Sequence, residues 1–109
     1  MLREKLEAYI GFAKRKRVLF QGRALDEKLI QNKIDLVVIL PACSLKRREH
    51  IERFLPKEKI VTLGEGIDLK KAFDSKLVSA FGIADTSLAT AIKQEVERRT
   101  IDEQRKEEK

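Results

Sequence analysis

The run Leu36-Val37-Val38-Ile39-Leu40 constrains this chain more than any other stretch. It is continuously apolar and β-branched in its middle, the pattern of a central strand covered on both faces. A strand of that kind needs helices above and below its sheet. Pro41 closes it, because proline has no N–H to give to a ladder. The strand is therefore read over residues 34–40.

The flanking segments supply the cover. Leu2, Leu6, Tyr9, Ile10 and Ala13 recur at three- and four-residue spacing, which predicts an amphipathic helix over 2–15. Val18 to Gln21 is a short strand candidate, and Gly22 breaks the chain before a helix over 23–32. That helix carries a narrow stripe of Leu25 and Leu29 with Ile30 beside it, and Asp26 and Glu27 are expected in its first turns, where the dipole favours negative charge. Ser44 is placed to cap a third helix, 45–54, with Leu45, Ile51, Phe54 and Leu55 as its buried side and Pro56 as its stop.

Further on, Lys59 to Leu63 predicts a strand, Gly64-Glu65-Gly66 a turn, and 67–73 a short helix that buries Leu69, Ala72 and Phe73. Leu77 to Ile83 returns as a strand, and Asp85 or Thr86 caps a final helix whose inner face holds Leu88, Ala91, Ile92 and Val96. Helix and strand patterns alternate throughout. The fold class expected is α/β: a three-layer α/β/α sandwich with a small mixed or mostly parallel four-stranded sheet. Residues 1–97 form one domain, and 98–109 are a charged extension that either prolongs the last helix or frays.

Composition limits what such a domain does. Cys43 and His50 are the only residues of their types, which excludes an intrachain disulfide and the common zinc sites. Cys43 is expected as a small buried apolar residue and His50 as an exposed one. Carboxylates are dispersed among Lys and Arg, the pattern of a salt-laced surface and not of paired acid/base groups. Leu2 to Ala13 is interrupted by charges, and no apolar run approaches the ~20 residues that span a bilayer. The expectation is a cytoplasmic protein with no enzymatic activity, no cofactor and no membrane partner. A formal charge of +6 directs attention to anionic partners, nucleic acid first.

The positive charge is concentrated where helix ends are also expected. Lys14-Arg15-Lys16-Arg17 closes the first helix, and Gly22, Arg23, Ala24 and Lys28 belong to the start of the second. Cations and free backbone amides both suit phosphate. The basic run equally suits a solvated helix end, where cations complement the dipole. Lys46-Arg47-Arg48, balanced by Glu49 and Glu52, is read as a solvated face, and Gly64-Glu65-Gly66 lacks the spacing of a phosphate loop.

Several phrases together carry a family resemblance: Ile10-Gly11-Phe12-Ala13-Lys14-Arg15, Gly22 to Lys28, Ile34 to Leu40, and Ser79-Ala80-Phe81-Gly82-Ile83-Ala84-Asp85 running into Ser87-Leu88-Ala89-Thr90-Ala91-Ile92. Over roughly residues 2–95 the chain resembles the ribosomal L-seven-Ae and L-thirty-e family, nearest to its bacterial YlxQ-like members. The resemblance implies binding of kinked RNA through the start of the second helix and the loop after the last strand. Ile83 and Ala84 would then correspond to an apolar loop that packs on extruded bases. Gly22 and Lys28 match the family's helix-start pattern, whereas Ala24 and Leu25 stand where it has Asn and Glu. Ala and Leu have no groups to hydrogen-bond base edges.

The function expected is a non-catalytic, structured-RNA-binding protein of ribosomal-protein type, working within a ribonucleoprotein. It would contact mainly phosphates and one extruded base, through Lys14, Arg15, Lys16, Arg17, Gly22, Arg23, Ala24, Lys28, Ile83 and Ala84. The alternative is a protein-interaction or dimerisation module on the same fold, with an eroded RNA site and an exposed Leu25 as its mark.

Overall fold

The computed structural model describes the backbone of residues 2–63 and 78–107, and side chains within 5–63 and 78–97. The expected turn at 64–66, the short helix at 67–73 and the first residue of the strand read from 77 lie outside the described residues. The elements are α1 (Leu2–Arg15), β1 (Leu19–Gln21), α2 (Gly22–Ile30), β2 (Leu36–Ile39), α3 (Leu45–Glu52), a 3-10 turn (Lys57–Lys59), β3 (Ile60–Thr62), β4 (Ala80–Ile83) and α4 (Thr86–Glu107).

The four strands form one sheet in the order β1-β4-β2-β3. β2 and β3 are parallel, with Val38 opposite Val61. β4 lies antiparallel to both β1 and β2, so the sheet is mixed and not mostly parallel. The side chains explain the order. Every residue of β2 and of β4 is buried, so both strands need a neighbour on each side. β1 and β3 end in the exposed residues Gln21 and Thr62, which suit sheet edges.

Alternation along the strands builds two cores. Leu36, Val38, Phe81 and Ile83 point to one face and pack against Leu6, Ile10 and Ala13 of α1 and Ala89, Ile92 and Val96 of α4. Val37, Ile39 and Ala80 point to the other and meet Leu25 and Leu29 of α2 and Ile51 and Leu55 of α3. The chain is thus an α/β/α sandwich, as the doubly apolar β2 demands. Full burial of a side chain such as Ile10 or Ile92 contributes about 2 kcal/mol.

Several boundaries follow from local chemistry. Ser44 caps α3 by accepting the Arg47 amide at 3.1 Å. Asp85, and not Thr86, caps α4: the Leu88 amide donates to its carboxylate at 2.9 Å. α2 starts one residue early, at Gly22, so its first turn holds no acid and Asp26 lies in the second turn. Its other end closes on Asn32, at φ +57°, with Asn32 and Lys33 amides donating to the Leu29 and Lys28 carbonyls.

α3 departs from the expected burial pattern. Its inward stripe is Arg47, Ile51 and Leu55, spaced by four residues, with Ile51 and Leu55 buried. Leu45 falls off that stripe and is 71% exposed, and Phe54 is exposed as well. Cys43 is half-buried and not buried; burial raises its thiol pKa, and Arg47 and Arg48 oppose that rise. α4 continues to Glu107 as helical backbone, so the charged segment prolongs the helix.

Candidate nucleic-acid interface

The basic run does not simply fray from the end of α1. The Arg17 amide donates to the Lys14 carbonyl at 3.1 Å and the Val18 amide to the Ala13 carbonyl at 3.0 Å, a tight reversal with Arg17 at φ +60°. Left-handed backbone is usual for glycine there, so an arginine in that position is a local strain. The turn redirects the chain into β1 and leaves Lys14, Arg15, Lys16 and Arg17 exposed around it.

Two contacts tie this turn to the junction of β4 and α4. The Ala84 amide donates to the Val18 carbonyl at 2.8 Å. Lys16 Nζ donates to Asp85 Oδ2, also at 2.8 Å. The Lys16 hydrogen bond, followed by the Leu88 amide, holds the Asp85 carboxyl below its ordinary pKa. Asp85 therefore serves two elements, capping α4 and anchoring one cation of the run.

The start of α2 lies at the other end of β1. Gly22 has φ +59°, which a side chain would resist, and the N-cap Gln21 makes no side-chain hydrogen bond to the helix. Arg23 and Ala24 are exposed there. Lys28, one turn on, holds its ammonium 5.2 Å from the Phe20 ring centre. Leu25 is fully buried and occupies the space where a Cβ on Gly82 would fall. Position 25 thus packs the helix on the sheet.

Arg47 joins this end of the sheet from α3. Its guanidinium donates to the Asp26 carboxylate and, at 3.4 Å, to the Gly22 carbonyl. His50 Nε2 lies 3.6 Å from the same Asp26 carboxylate, with its ring edge-on to Phe54 at 5.3 Å. The basic cluster 46–48 is therefore not uniformly a solvated face. The signal for it was present in sequence as the four-residue spacing Arg47-Ile51-Leu55, which puts Arg47 on the inner stripe.

The strand register decides which predicted residues meet. Leu19 lies opposite Ile83 and Gln21 opposite Phe81. Ala84 and Asp85 consequently neighbour the basic run, while Gly22 and Arg23 belong to the far end of β1 and Lys28, on α2, lies over Phe20 in its middle. At about 3.4 Å per residue, the three residues of β1 hold the two groups about 10 Å apart. Ile83 is fully buried in the core beneath α1 and α4, so it has no surface to offer a base. Ala84 is half-buried and packs against the core under α2 and α3.

Elsewhere, a groove of about 360 Å³ runs between α4 and the starts of β2 and β3. Asp35, Glu58, Lys59 and Lys93 line it with charges of both signs, and Lys93 is bonded to the Glu58 carbonyl. Among the described residues no three His, Cys, Asp or Glu side chains converge on a point that could hold a metal ion. No helix among them is long and apolar enough to cross a membrane.

No family model matches the chain, and no curated protein does. Among solved structures it is similar to a protein with unknown function from Bacillus halodurans C, at TM-score 0.72 and 14% identity, over 85% of this chain and 97% of that one. That likeness shows the fold.

Proposed function

We propose that this protein is a non-catalytic RNA-binding protein of ribosomal-protein type that grips structured RNA chiefly by its phosphates. The observation that carries the reading is the cationic border of β1: Lys14–Arg17 at one end, Arg23 with the amides of the α2 start at the other, and Lys28 over Phe20 between them. Neighbouring phosphates of a folded RNA strand suit two cationic groups held at fixed separation by a short strand. Kinship with the ribosomal L-seven-Ae and L-thirty-e family belongs to this proposal, supported by the shared sequence phrases, as does a cytoplasmic location. Ala24 lacks polar side-chain atoms and Leu25 is buried, so neither reads base edges. Recognition then rests on backbone and shape in place of a kink-turn's sequence.

The test is binding of a structured RNA across a salt series. Wild-type affinity should fall steeply with salt. Replacing Arg23 and Lys28 together by Ala should flatten the slope of log K against log salt by about 1 to 2 units. Equal, salt-insensitive retention by both proteins would overturn the reading.

One observation favours a second reading, a protein-interaction or dimerisation module. Ile30 is 68% exposed and follows Asp26 by one helical turn, as the exposed Phe54 follows His50. Asp26 and His50, 3.6 Å apart, are thus each followed one turn on by an exposed apolar side chain. A dimer in light scattering, lost on replacing Ile30 and Phe54 by polar residues, would support it. Leu25, the mark expected from sequence, is buried and takes no part.

A further inference from the structure

We propose that Phe12 is a stacking platform for an unpaired nucleobase, so that the basic end of α1 takes a single-stranded segment of RNA. The inference rests on the RNA-binding reading and adds to it a site for a base. Phe12 is 47% exposed, in the last turn of α1, directly before the basic run. The Arg15 guanidinium lies over its ring at 4.9 Å. Lys16 follows one turn on from Phe12, its amide donating to the Phe12 carbonyl at 2.9 Å and its ammonium to Asp85. The exposed ring thus carries a guanidinium over one face, and Lys14, Lys16 and Arg17 follow it within the same turn of the chain.

Among the described residues, the other exposed large apolar side chains do not share this setting. Ile30 and Leu45 have no aromatic face, and Phe54 is engaged edge-on by His50. Phe20 also meets a cation, Lys28, but it is half-buried against the core under α2 and α3. An isolated exposed apolar residue is ordinary, whereas an exposed ring beside Arg and Lys is the arrangement that receives unpaired bases. Every base has a π-face and arginine planes stack on bases too, so the preference is for single strands over any one sequence. Lys14 and Arg17, both exposed around the same turn, would supply the cations for the adjoining phosphates.

The test uses a short fluorescein-labelled oligouridine and anisotropy across a salt series. Phe12→Ala and Phe12→Leu should each lose about 10-fold in affinity while keeping the wild-type salt slope, because stacking is lost and no charge is. Phe12→Leu preserves apolar bulk, so a loss shared by both variants identifies the ring face. The chain contains no tryptophan, so Phe12→Trp gives a single reporter. Its emission should be quenched by the oligouridine and not by heparin, a polyanion without bases. Wild-type affinity in both Phe12→Ala and Phe12→Leu, or binding without quenching in Phe12→Trp, overturns the inference and leaves RNA binding standing. Absence of wild-type binding to the oligouridine and to structured RNA overturns both.

Discussion

Lys16 Nζ and Asp85 Oδ2, 2.8 Å apart, connect the end of α1 to the cap of α4 across sixty-nine residues of sequence. The pair is unequal. Lys16 is largely exposed and Asp85 mostly covered, so the ammonium is the member open to solvent. Asp85 also accepts the Leu88 amide, which keeps its position set by the helix whether or not Lys16 is present. A cation of the proposed RNA-binding border is therefore held by a protein carboxylate that a phosphate must displace.

The first prediction concerns titration. Lys16, then the Leu88 amide, lowers the Asp85 carboxyl pKa. A carboxyl depressed in the folded state contributes stability that is complete above its unfolded value, about 3.9, and is lost as pH falls through the lower folded value. Carbon-detected NMR titration should find the Asp85 midpoint below that of an ordinary Asp, and Lys16→Ala should move it upward. An unchanged midpoint in Lys16→Ala would remove Lys16 as the leading cause.

The second concerns competition for Lys16. Asn caps helices as well as Asp does, so Asp85→Asn should preserve α4 while releasing the ammonium. Under the RNA-binding reading, affinity at low salt rises and the slope of log K against log salt steepens by about 0.7 to 0.9, one further phosphate contact. Circular dichroism checks that helix content is kept. A slope equal to wild type would mean that Lys16 never reaches the RNA.

Arg17 separates stability from binding. Its left-handed backbone, φ +60°, is the conformation that glycine adopts without a Cβ penalty. Arg17→Gly should stabilise the fold by about 0.5–1 kcal/mol, raising the thermal midpoint by a few degrees, while RNA affinity falls. Thermal unfolding and salt-series binding on the same protein give opposite signs. A loss in both would make Arg17's side chain a structural partner in the turn.

Much of this architecture is legible in local sequence because local physics decides it. The doubly apolar Leu36–Leu40, the Ser44 cap and the spacing of Leu6, Ile10 and Ala13 each need no knowledge of distant residues. The place of β4 is different. Whether Ala80–Ile83 enters the middle of the sheet, and in which direction, depends on what Val37 and Leu19 find across from them. That register also decides that Ala84 meets Val18 while Gly22 lies at the opposite end, which splits one sequence stretch into two groups. Leu45 and Phe54 look like core residues by hydrophobicity alone, yet the stripe through Arg47 and Ile51 leaves them outside it. Leu25, expected from sequence as the exposed mark of a partner surface, is buried because the sheet beneath it has taken the side chain.

The contact of Leu25 with Gly82 yields the last prediction. A Cβ built on Gly82 overlaps Leu25 Cδ1 and comes within 3.2 Å of Ile34 Cδ1, all on the side of the sheet that α2 covers. Gly82→Ala forces α2 outward or Leu25 into another rotamer, and overpacking of that order costs about 1–3 kcal/mol. Leu25→Ala alone opens a cavity and costs about 2–5 kcal/mol. In the double variant the new methyl group enters space that Leu25 has vacated, so the total loss should be smaller than the sum by at least about 0.5 kcal/mol. Urea unfolding of the four proteins measures the coupling. Strict additivity would mean that the two residues do not share that space, and that α2 is held on the sheet by Leu29 and Ile34 instead. If the coupling is found, the α2 start is fixed to β4 by the same packing that denies position 25 a role in reading bases.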